Sequence, residues 1–385
     1  MQSFTIKHLK TDQLFTLCAI LVFSLTILTT LLNLFKGYVT DAFYVVLLLI
    51  TLLTLIIGWI GLHQQSHHSL NRLFNLILIL SSFTGNLFTL LVFITKYHNQ
   101  RASKLEYYNG WEAFITKFKA NKIALISLVI LTYLLTLSIT GVFTFDVTFA
   151  TQNQFNQLLQ PPSWSHPFGT DDFGRDVFTR IVIGTKLTYF IAIISVVISV
   201  IFGILFGLIS GYVSKVDNTI MRLLDILFAI PTLLLAVAII ASFGASTLTL
   251  IIALSIGNIP SFTRTMRATV LEIKRQEFID AAHITGERDT RILLQYILPN
   301  ALAPMIVRFS LNVGVVVLTT SGLSFLGLGV SPDVPEWGNI LRTGSNYLET
   351  HSNLAIFPGL CIMILVLAFN FIGDAVRDAL DPKIQ

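Results

Sequence analysis

Charged side chains are scarce in this sequence. Asp, Glu, Lys and Arg make up 12% of its 385 residues, whereas a soluble domain carries about 25%. Hydrophobic residues make up 54%, and the mean hydropathy is +0.76. The shortage excludes a water-soluble globule, because there are too few polar side chains to cover its surface. The apolar residues occur in long blocks, which is the pattern that a lipid bilayer requires.

Cysteine is almost absent, and motifs for catalysis are missing as well. The two cysteines, Cys18 and Cys361, lie in apolar stretches, so neither a disulfide framework nor a metal site is expected. No phosphate-binding loop of the Walker A type occurs, so phosphoryl chemistry has to come from another polypeptide. The apolar blocks also lack the ladder of carboxylates or histidines that a proton-coupled pump shows. The chain is therefore predicted not to be an enzyme and to bind no cofactor.

Nine apolar blocks are each long enough to cross a membrane as a helix, which takes about 20 residues. They lack the alternation of a membrane β-barrel strand, so the predicted fold class is an all-α polytopic membrane protein. The first block, from Leu14 to Phe35, is too long for a signal-peptide core and is interpreted as a retained helix. The predicted spans are residues 14–35, 42–62, 72–95, 122–144, 187–213, 219–243, 246–269, 303–328 and 354–373.

Hydrophobicity and charge divide the chain into three parts. Residues 1–95 form an N-terminal hydrophobic extension with three predicted helices, residues 96–122 form a basic linker, and residues 123–385 contain the other six predicted helices. The last part also contains three long connections. These connections cover about residues 145–186, 270–300 and 329–353.

Basic residues indicate the orientation, because Lys and Arg are enriched on the cytoplasmic side. The 96–122 linker and the 259–300 stretch each contain six Lys or Arg residues, so both are predicted to be cytoplasmic. Six core helices then return the C-terminus to the cytoplasm and place the other two long connections outside. Three helices before the linker would put the N-terminus outside, which Lys7 and Lys10 oppose unless one helix is interfacial. The topology of the extension therefore stays open.

The strongest local motif lies in the 270–300 connection. Its members are Glu277, Asp280, Ala281, Ala282, Gly286, Leu298 and Pro299. Gly286 can adopt the left-handed conformation that ends a helix, and Pro299 can begin the next membrane helix. The pattern predicts two short helices joined at the glycine. They would form a compact knob whose small alanines allow close approach to a partner's groove.

Four separated blocks occur in an order that resembles a known family. They lie at residues 161–176, 277–300, 324–338 and 368–382. The second block is similar to the EAA loop through which ABC importer permeases contact their ATPase subunits, with Asp280 in place of the usual glutamate. Together the blocks resemble the C-type permease subunits of dipeptide and oligopeptide ABC importers, a group that includes nickel importers. The resemblance covers about residues 110–385 and leaves the extension outside it.

The resemblance implies a six-helix permease core that works with other subunits. The expected partners are a second permease subunit, two ATPase subunits that use ATP and Mg²⁺, and an extracellular solute-binding protein; no nucleic acid is expected. The implied function is translocation of dipeptides or oligopeptides across the cytoplasmic membrane. Two alternatives stay open: uptake of nickel or a metal chelate by the same kind of machine, and a secondary transporter that needs no ATPase.

A second motif, on the predicted outer face, precedes the second core helix and combines turn-forming with charged residues. Its members are Gly169, Thr170, Asp171, Gly174, Arg175 and Asp176. The apolar positions that follow, from Val177 to Val182, predict a short amphipathic helix lying at the outer surface. Two roles stay open for the motif. It could cover the pore mouth or receive a substrate-delivering partner, or it could be a structural plug held by Asp–Arg contacts.

Glycine and proline also mark two of the predicted spans. Gly203, Gly207 and Gly211 recur every four residues, which predicts close helix packing within the chain or at the seam with a second permease subunit. Pro231 removes one backbone hydrogen bond from its helix and is predicted to kink it. Static packing is the favoured role for both features.

Few ionisable residues lie in the predicted spans. Arg222 and Asp225 are three residues apart and are predicted to pair. Arg308 is predicted to extend its side chain towards the cytoplasmic interface, with a pore-facing position as the alternative. A group of histidines has the spacing of a metal site, but a polar connector is the favoured interpretation because no carboxylate or cysteine lies near. These histidines are His63, His67 and His68.

Overall fold

The computed structural model describes residues 11–36, 39–62, 68–105 and 110–380. Regular structure in these residues is helical, apart from one isolated antiparallel bridge between Thr170 and Asp176. The predicted all-α class is confirmed. The helices of the first half are α1 (Thr11–Leu31, continued by a 3-10 turn, Leu32–Lys36), α2 (Phe43–Leu62), α3 (His68–Ser82), α4 (Leu87–Leu105), α5 (Gly110–Ala120), α6 (Lys122–Thr144), α7 (Thr148–Thr151) and α8 (Val177–Tyr212). Those of the second half are α9 (Ser214–Phe228), α10 (Thr232–Phe243), α11 (Thr247–Ile273), α12 (Glu277–Ile284), α13 (Asp289–Arg291), a π-helix (Ile292–Ile297), α14 (Leu298–Phe325), α15 (Trp337–Ser345) and α16 (Asn353–Leu380).

The chain folds as two compact units. The first comprises Met1–Leu187 with Asp333–Cys361, and the second comprises Thr188–Pro332 with Ile362–Gln385. In the first unit, α1 packs against α2, α4 and α6. Its buried core contains Phe15, Phe23 and Phe88 of the extension, and Tyr133 of α6 packs against them. The extension is therefore folded onto the first core helix.

The glycine stripe of α8 determines how the second unit packs. A Cβ atom added at any of the three glycines would lie within 2.7 Å of a Cβ atom on α11, which is closer than side chains can approach. The facing pairs are Gly203 with Phe262, Gly207 with Met266, and Gly211 with Val270. The stripe therefore lets α8 and α11 of this chain meet backbone to backbone.

Fewer helices meet the length of a membrane span than the nine predicted. In the described residues, five helices are long and apolar enough to cross a membrane, or six if the bent pair α9–α10 counts as one span. The apolar parts of α2 and α4, Phe43–Trp59 and Leu87–His98, are shorter. In the described part of the extension, the helix Thr11–Lys36 alone meets the length and hydropathy of a span.

The predicted span 72–95 is wrong, because the structure breaks it into α3 and α4. Gly85 has φ +92°, and a Cβ there would lie 2.9 Å from the carbonyl oxygen of Leu135. Asn86 then starts α4, since its Oδ1 accepts a hydrogen bond from the Phe88 amide at 3.3 Å. Hydropathy does not detect this break, because the residues around it are apolar and the turn depends only on Gly85 and on Asn86, which caps α4.

Two other predicted spans are also altered. Helix α8 begins at Val177, ten residues before the predicted span 187–213, because the side chain of Asp176 accepts a hydrogen bond from the Thr179 amide at 2.8 Å and caps the helix. The predicted short outer-surface helix is therefore wrong: its apolar residues belong to the first turns of α8 and are buried. At Pro231 the chain bends by 80° between α9 and α10, a break instead of the predicted kink.

The predictions for the charged residues within the spans require correction. Asp225 pairs with Arg264 of α11, whose Nη2 lies 2.6 Å from its Oδ1, and not with Arg222. The guanidinium of Arg308 donates to the Ser261 hydroxyl of α11. Because Ser261 lies mid-helix, well before the loop end of α11 at Ile273, Arg308 does not extend towards that end as predicted.

The linker and the candidate metal ligands are described only in part. In the described part, the predicted linker 96–122 is helical, since it contains the end of α4 and all of α5. The side chains of the three histidines lie outside the described residues. Among those that are described, both cysteines are free thiols, and no group of three metal-ligating side chains occurs.

Candidate coupling loop and buried charge cluster

The predicted coupling loop begins as a short helix that ends at a glycine. Gly286 follows α12 with φ +80°, and the Glu287 amide donates to the Ala282 carbonyl at 3.1 Å to close the turn. No atom lies within 4 Å of a Cβ built at Gly286. The glycine is therefore required by backbone conformation and not by close packing.

The second predicted short helix does not exist as a separate element. From Asp289 the chain is helical without interruption to Phe325, passing through the π-helix before α14 begins. Pro299 lies in the first turn of α14, as predicted, but helical structure already precedes it. The wider hydrogen bonding of the π-helix, in which the Leu298 amide donates to the Leu293 carbonyl, accommodates a proline that lacks an amide hydrogen.

The predicted coupling residues differ in what they face. Ala282 is buried together with Ile279, whereas Ala281 is exposed. The prediction that both alanines approach a partner is therefore wrong, since α12 uses Ala282 to pack on its own chain. Leu298 is half-buried, and the remaining predicted residues are exposed: Glu277, Asp280, Gly286 and Pro299.

Ile284 is a residue of this loop that the sequence prediction missed. Its side chain is 86% exposed at the tip of α12, next to the glycine turn. An isoleucine among charged neighbours, one position before a Thr-Gly turn, was the signal that could have identified it.

The loop is tied to two other helices of the second unit. The Tyr212 hydroxyl at the end of α8 donates to Asp289 Oδ1 at 2.6 Å, and Lys274 Nζ donates to the Tyr212 carbonyl at 2.8 Å. Within the loop, Arg291 and Glu287 form an ion pair at 3.0 Å. The loop is therefore joined directly to α14, through the continuous helix, and to α8, through Tyr212.

A surface groove lies at the base of α12. Its volume is about 890 Å³. The groove is lined by the end of α11 and the start of α12, namely Ala268, Leu271, Glu272, Arg275, Gln276, Glu277 and Phe278. It lies beside the exposed residues of the loop, so both could be covered by one partner.

The predicted outer-face motif forms a buried charge cluster in the first unit. Asp171 accepts hydrogen bonds from the backbone amides of Phe173 and Arg175, both at 2.9 Å, and from Arg175 Nε at 2.7 Å. Arg180 lies 3.7 Å from the same carboxylate and donates to the Ala150 carbonyl at 2.7 Å. The side chains of these three ionic residues are at most 5% exposed.

The neighbouring carboxylate, Asp176, has its own set of partners. His166 Nδ1 donates to its Oδ1 at 3.0 Å, and Lys36 Nζ forms an ion pair with its Oδ2. Burial alone would raise the pKa of Asp176, but the hydrogen bond from His166 and the charge of Lys36 outweigh burial and lower it. Asp172 has the opposite shift: burial and the adjacent charge of Asp171 raise its pKa.

The glycines and threonine of the motif shape its turns. Gly169 and Gly174 have φ +81° and +75°, and a Cβ at Gly174 would lie 2.0 Å from the Gln154 carbonyl oxygen. The Thr170 hydroxyl accepts a hydrogen bond from the Gln160 amide at 2.8 Å. The motif is thus closely packed against the segment that precedes it.

The connection after α14 packs onto the same cluster. Trp337 is fully buried, and its Nε1 donates to the Ile181 carbonyl at 3.0 Å. Asn353 donates to the Phe168 carbonyl at 2.8 Å, and the Phe168 and Phe357 rings stack at 3.9 Å. Of the two roles left open for the motif, this burial favours the structural one.

The apolar helices of the fold define the class of the protein as a multi-pass α-helical membrane protein. Residues 199–385 match the family model "Binding-protein-dependent transport system inner membrane component". Residues 110–162 match the model "N-terminal TM domain of oligopeptide transport permease C". The chain belongs to the binding-protein-dependent transport permeases. This confirms the family resemblance of the motifs and makes the chain a transport component and not an enzyme.

Sequence relatives within this family are close. The dipeptide transport system permease protein DppC of Alkalihalophilus pseudofirmus is 42% identical over 276 residues, covering 71% of this chain and 90% of that protein. The glutathione transport system permease protein GsiD of Pectobacterium atrosepticum is 36% identical over 276 residues, covering 71% and 92%. A chain in an inward-facing structure of the MetNI methionine ABC transporter matches this protein with 20% sequence identity and a TM-score of 0.44. The match covers 52% of this chain and 97% of the matched chain.

Proposed function

We propose that this chain is a pore-forming permease subunit of an ATP-driven importer for dipeptides or oligopeptides. The observation that carries the proposal is the exposed coupling loop from Glu277 to Pro299, which is continuous with a membrane helix on one side. The chain pairs with a second permease subunit, and two separate ATPase subunits bind and hydrolyse ATP with Mg²⁺. An extracellular binding protein delivers the cargo.

The loop acts as a lever in this proposal. ATP binding closes the ATPase subunits, and the subunit that holds Ile284 and the groove beside α12 moves with them. The displacement reaches α14 through the π-helix and α8 through Tyr212. The free energy that makes uptake directional is that of ATP, coupled by rigid docking.

The proposed topology follows from the charges of the sequence. The basic linker 96–122 and the coupling loop 270–300 face the cytoplasm, as does the C-terminus. Residues 123–385 form the permease domain, and residues 1–95 form the extension that precedes it. The buried charge cluster then lies on the extracellular side.

Two kinds of cargo are supported by the relatives. A dipeptide is favoured, because the 42% identical relative is named for dipeptide transport. Glutathione, itself a modified tripeptide, is the second candidate, because several relatives of 36–39% identity are named for its transport.

The proposal is tested by uptake into proteoliposomes that contain the complete complex. Labelled dipeptide or glutathione is presented on the binding protein, with or without ATP inside. We expect accumulation only with ATP and no loss of accumulation when a protonophore collapses the proton gradient. Uptake that persists without ATP, or a chain that purifies without any ATPase subunit, would contradict the proposal and favour a secondary transporter.

A further inference from the structure

Lys36, at the end of the first helix of the extension, is almost completely buried. Its side chain is 1% exposed, and that of its ion-pair partner Asp176 is not exposed. Lys36 Nζ also donates to the Thr179 hydroxyl at 2.7 Å and lies 5.8 Å from the centroids of the Phe149 and Phe178 rings. A lysine from the extension thus reaches into the charge cluster of the core.

This lysine is the cation that compensates Asp176. Arg175 and Arg180, the other two buried cations, bond to Asp171 and to the Ala150 carbonyl. Without Lys36, the Asp176 carboxylate would lose this ion pair and would retain the hydrogen bonds of His166 and Thr179. A buried charge left unpaired in this way is strongly destabilising.

Neighbouring contacts join the same end of the extension to the end of α6 and to the connection that follows it. Asn33 Nδ2 donates to the Thr144 carbonyl at 2.5 Å, and the Thr40 hydroxyl donates to the Phe143 carbonyl at 2.7 Å. The Phe35 ring lies 5.4 Å from that of Trp164. The attachment therefore has a buried ionic centre with polar and aromatic contacts on its sides.

The matched family regions do not include this attachment. Both family models begin at or after residue 110, and Asp176 lies between their ranges, residues 110–162 and 199–385. A carboxylate of the permease core is thus neutralised by a residue that lies before either family match.

We propose that Lys36 is a positioning residue, which fixes the charged connection of residues 145–176 to the end of α1. The extension is then an integral part of the permease domain and not a separable module. The proposal goes beyond the transport function and does not depend on the cargo or on the ATPase.

Limited proteolysis of the full-length protein tests the proposal. Chymotrypsin can cleave the connection at its exposed Phe155, Leu158 and Trp164, and the rate of this cleavage reports local opening. We expect Lys36→Met to raise the cleavage rate at least about tenfold, because loss of the buried charge frees the connection. Lys186→Met, which removes an exposed lysine of α8, is the matched control and should cleave like the wild type.

A double-mutant cycle distinguishes the loss of the Lys36–Asp176 ion pair from a general loss of stability. Asp176→Asn should also accelerate cleavage. The double variant, with Lys36→Met and Asp176→Asn, should be cleaved more slowly than the sum of the two single effects predicts. Additive effects, or cleavage of Lys36→Met at the wild-type rate, would overturn the proposal. If Lys36→Met does not accumulate in the membrane, recovery of accumulation in the double variant supports the pairing, and continued failure overturns it. Because cleavage requires no transport, these outcomes do not depend on whether peptides are the cargo.

Discussion

The charged connection of residues 145–176 and the coupling loop from Glu277 to Pro299 have similar compositions but opposite environments. Both combine acidic and basic residues with a glycine of positive φ. In the connection, the ionic side chains of Asp171 and Arg175 are buried and paired. In the loop, most of the motif residues are exposed, and Ile284 projects from the tip. Burial therefore separates a motif that stabilises its own chain from one that is available to a partner.

The two kinds of glycine show the same contrast. A Cβ at Gly174 would overlap backbone atoms, whereas a Cβ at Gly286 would meet nothing within 4 Å. One glycine is needed for space and conformation together, and the other for conformation alone. Substitutions at the two glycines should therefore differ in their effect on stability, and this difference can be measured.

The largest effect is expected for Gly174→Ala. The new methyl group would lie 2.0 Å from the Gln154 carbonyl oxygen, and φ +75° is unfavourable for alanine. The free energy of unfolding should fall by about 4 kcal/mol or more, so that little folded protein is recovered. Yield and thermal unfolding in detergent measure this loss. Wild-type yield and Tm would show that the connection is not closely packed.

A loss of about 3 kcal/mol is expected for Asp171→Asn, because it leaves Arg175 and Arg180 buried without their carboxylate. Asp225→Asn is the matched control. It breaks an ion pair whose side chains are 39% and 55% exposed and should cost at most about 1 kcal/mol. Thermal unfolding of both variants gives the comparison. Equal losses would contradict the assignment of buried and exposed roles.

Ile284→Ser should act on docking and not on folding. We expect about tenfold weaker association with the ATPase subunit, which corresponds to about 1.4 kcal/mol, and an unchanged Tm. Ile284→Leu keeps the apolar side chain and should bind like the wild type. Association is measured by titrating the purified ATPase subunit onto the chain in detergent. A lowered Tm together with normal association would assign Ile284 to the fold.

Gly286→Ala should have a smaller effect on stability than Gly174→Ala. The only penalty is the left-handed backbone, which costs about 1 kcal/mol for alanine, since space is available. Gly286→Asn should be closer to the wild type in stability, because asparagine adopts this conformation more readily than alanine does. Thermal unfolding of the three proteins measures the difference. A loss as large as that of Gly174→Ala would remove the distinction between the two glycines.

The smallest effect is expected at Asp172, whose pKa is raised by burial and by Asp171. A carboxyl group with a raised pKa contributes stability below its unfolded pKa of about 3.9, and this contribution is lost as the pH rises through the folded pKa. Asp172→Asn has no such loss. The Tm of the variant minus that of the wild type should therefore increase from pH 4 to pH 7. A difference that stays constant or decreases would contradict the raised pKa.

Local signals were enough to predict several elements. The predicted span 122–144 coincides with α6, because Asn121 caps its start by accepting from the Ala124 amide at 3.1 Å. The turn at Gly286 was predicted from the properties of glycine alone. The family was predicted from motif spacing, which does not require knowledge of packing.

The predictions from sequence are wrong at positions whose structure is determined by tertiary contacts. The apolar positions from Val177 to Val182 predicted a surface helix, but they are buried at the start of α8, where Arg180 pairs with Asp171 and bonds to Ala150. The partner of Asp225 is on another helix and cannot be read from sequence separation. Likewise, no local pattern connects Lys36 with Asp176, which is 140 positions away.

The π-helix at Ile292–Ile297 contains one surplus residue, because its hydrogen bonds span five residues instead of the four of an α-helix. Each residue of an α-helix advances the spiral by about 100°. If this surplus residue were absorbed into regular winding, every side chain of α14 would rotate by that angle, into the direction its sequence neighbour has now. Val315, now outward-facing, would then take the enclosed direction that Val316 has now, and the helix would lengthen by about 1.5 Å.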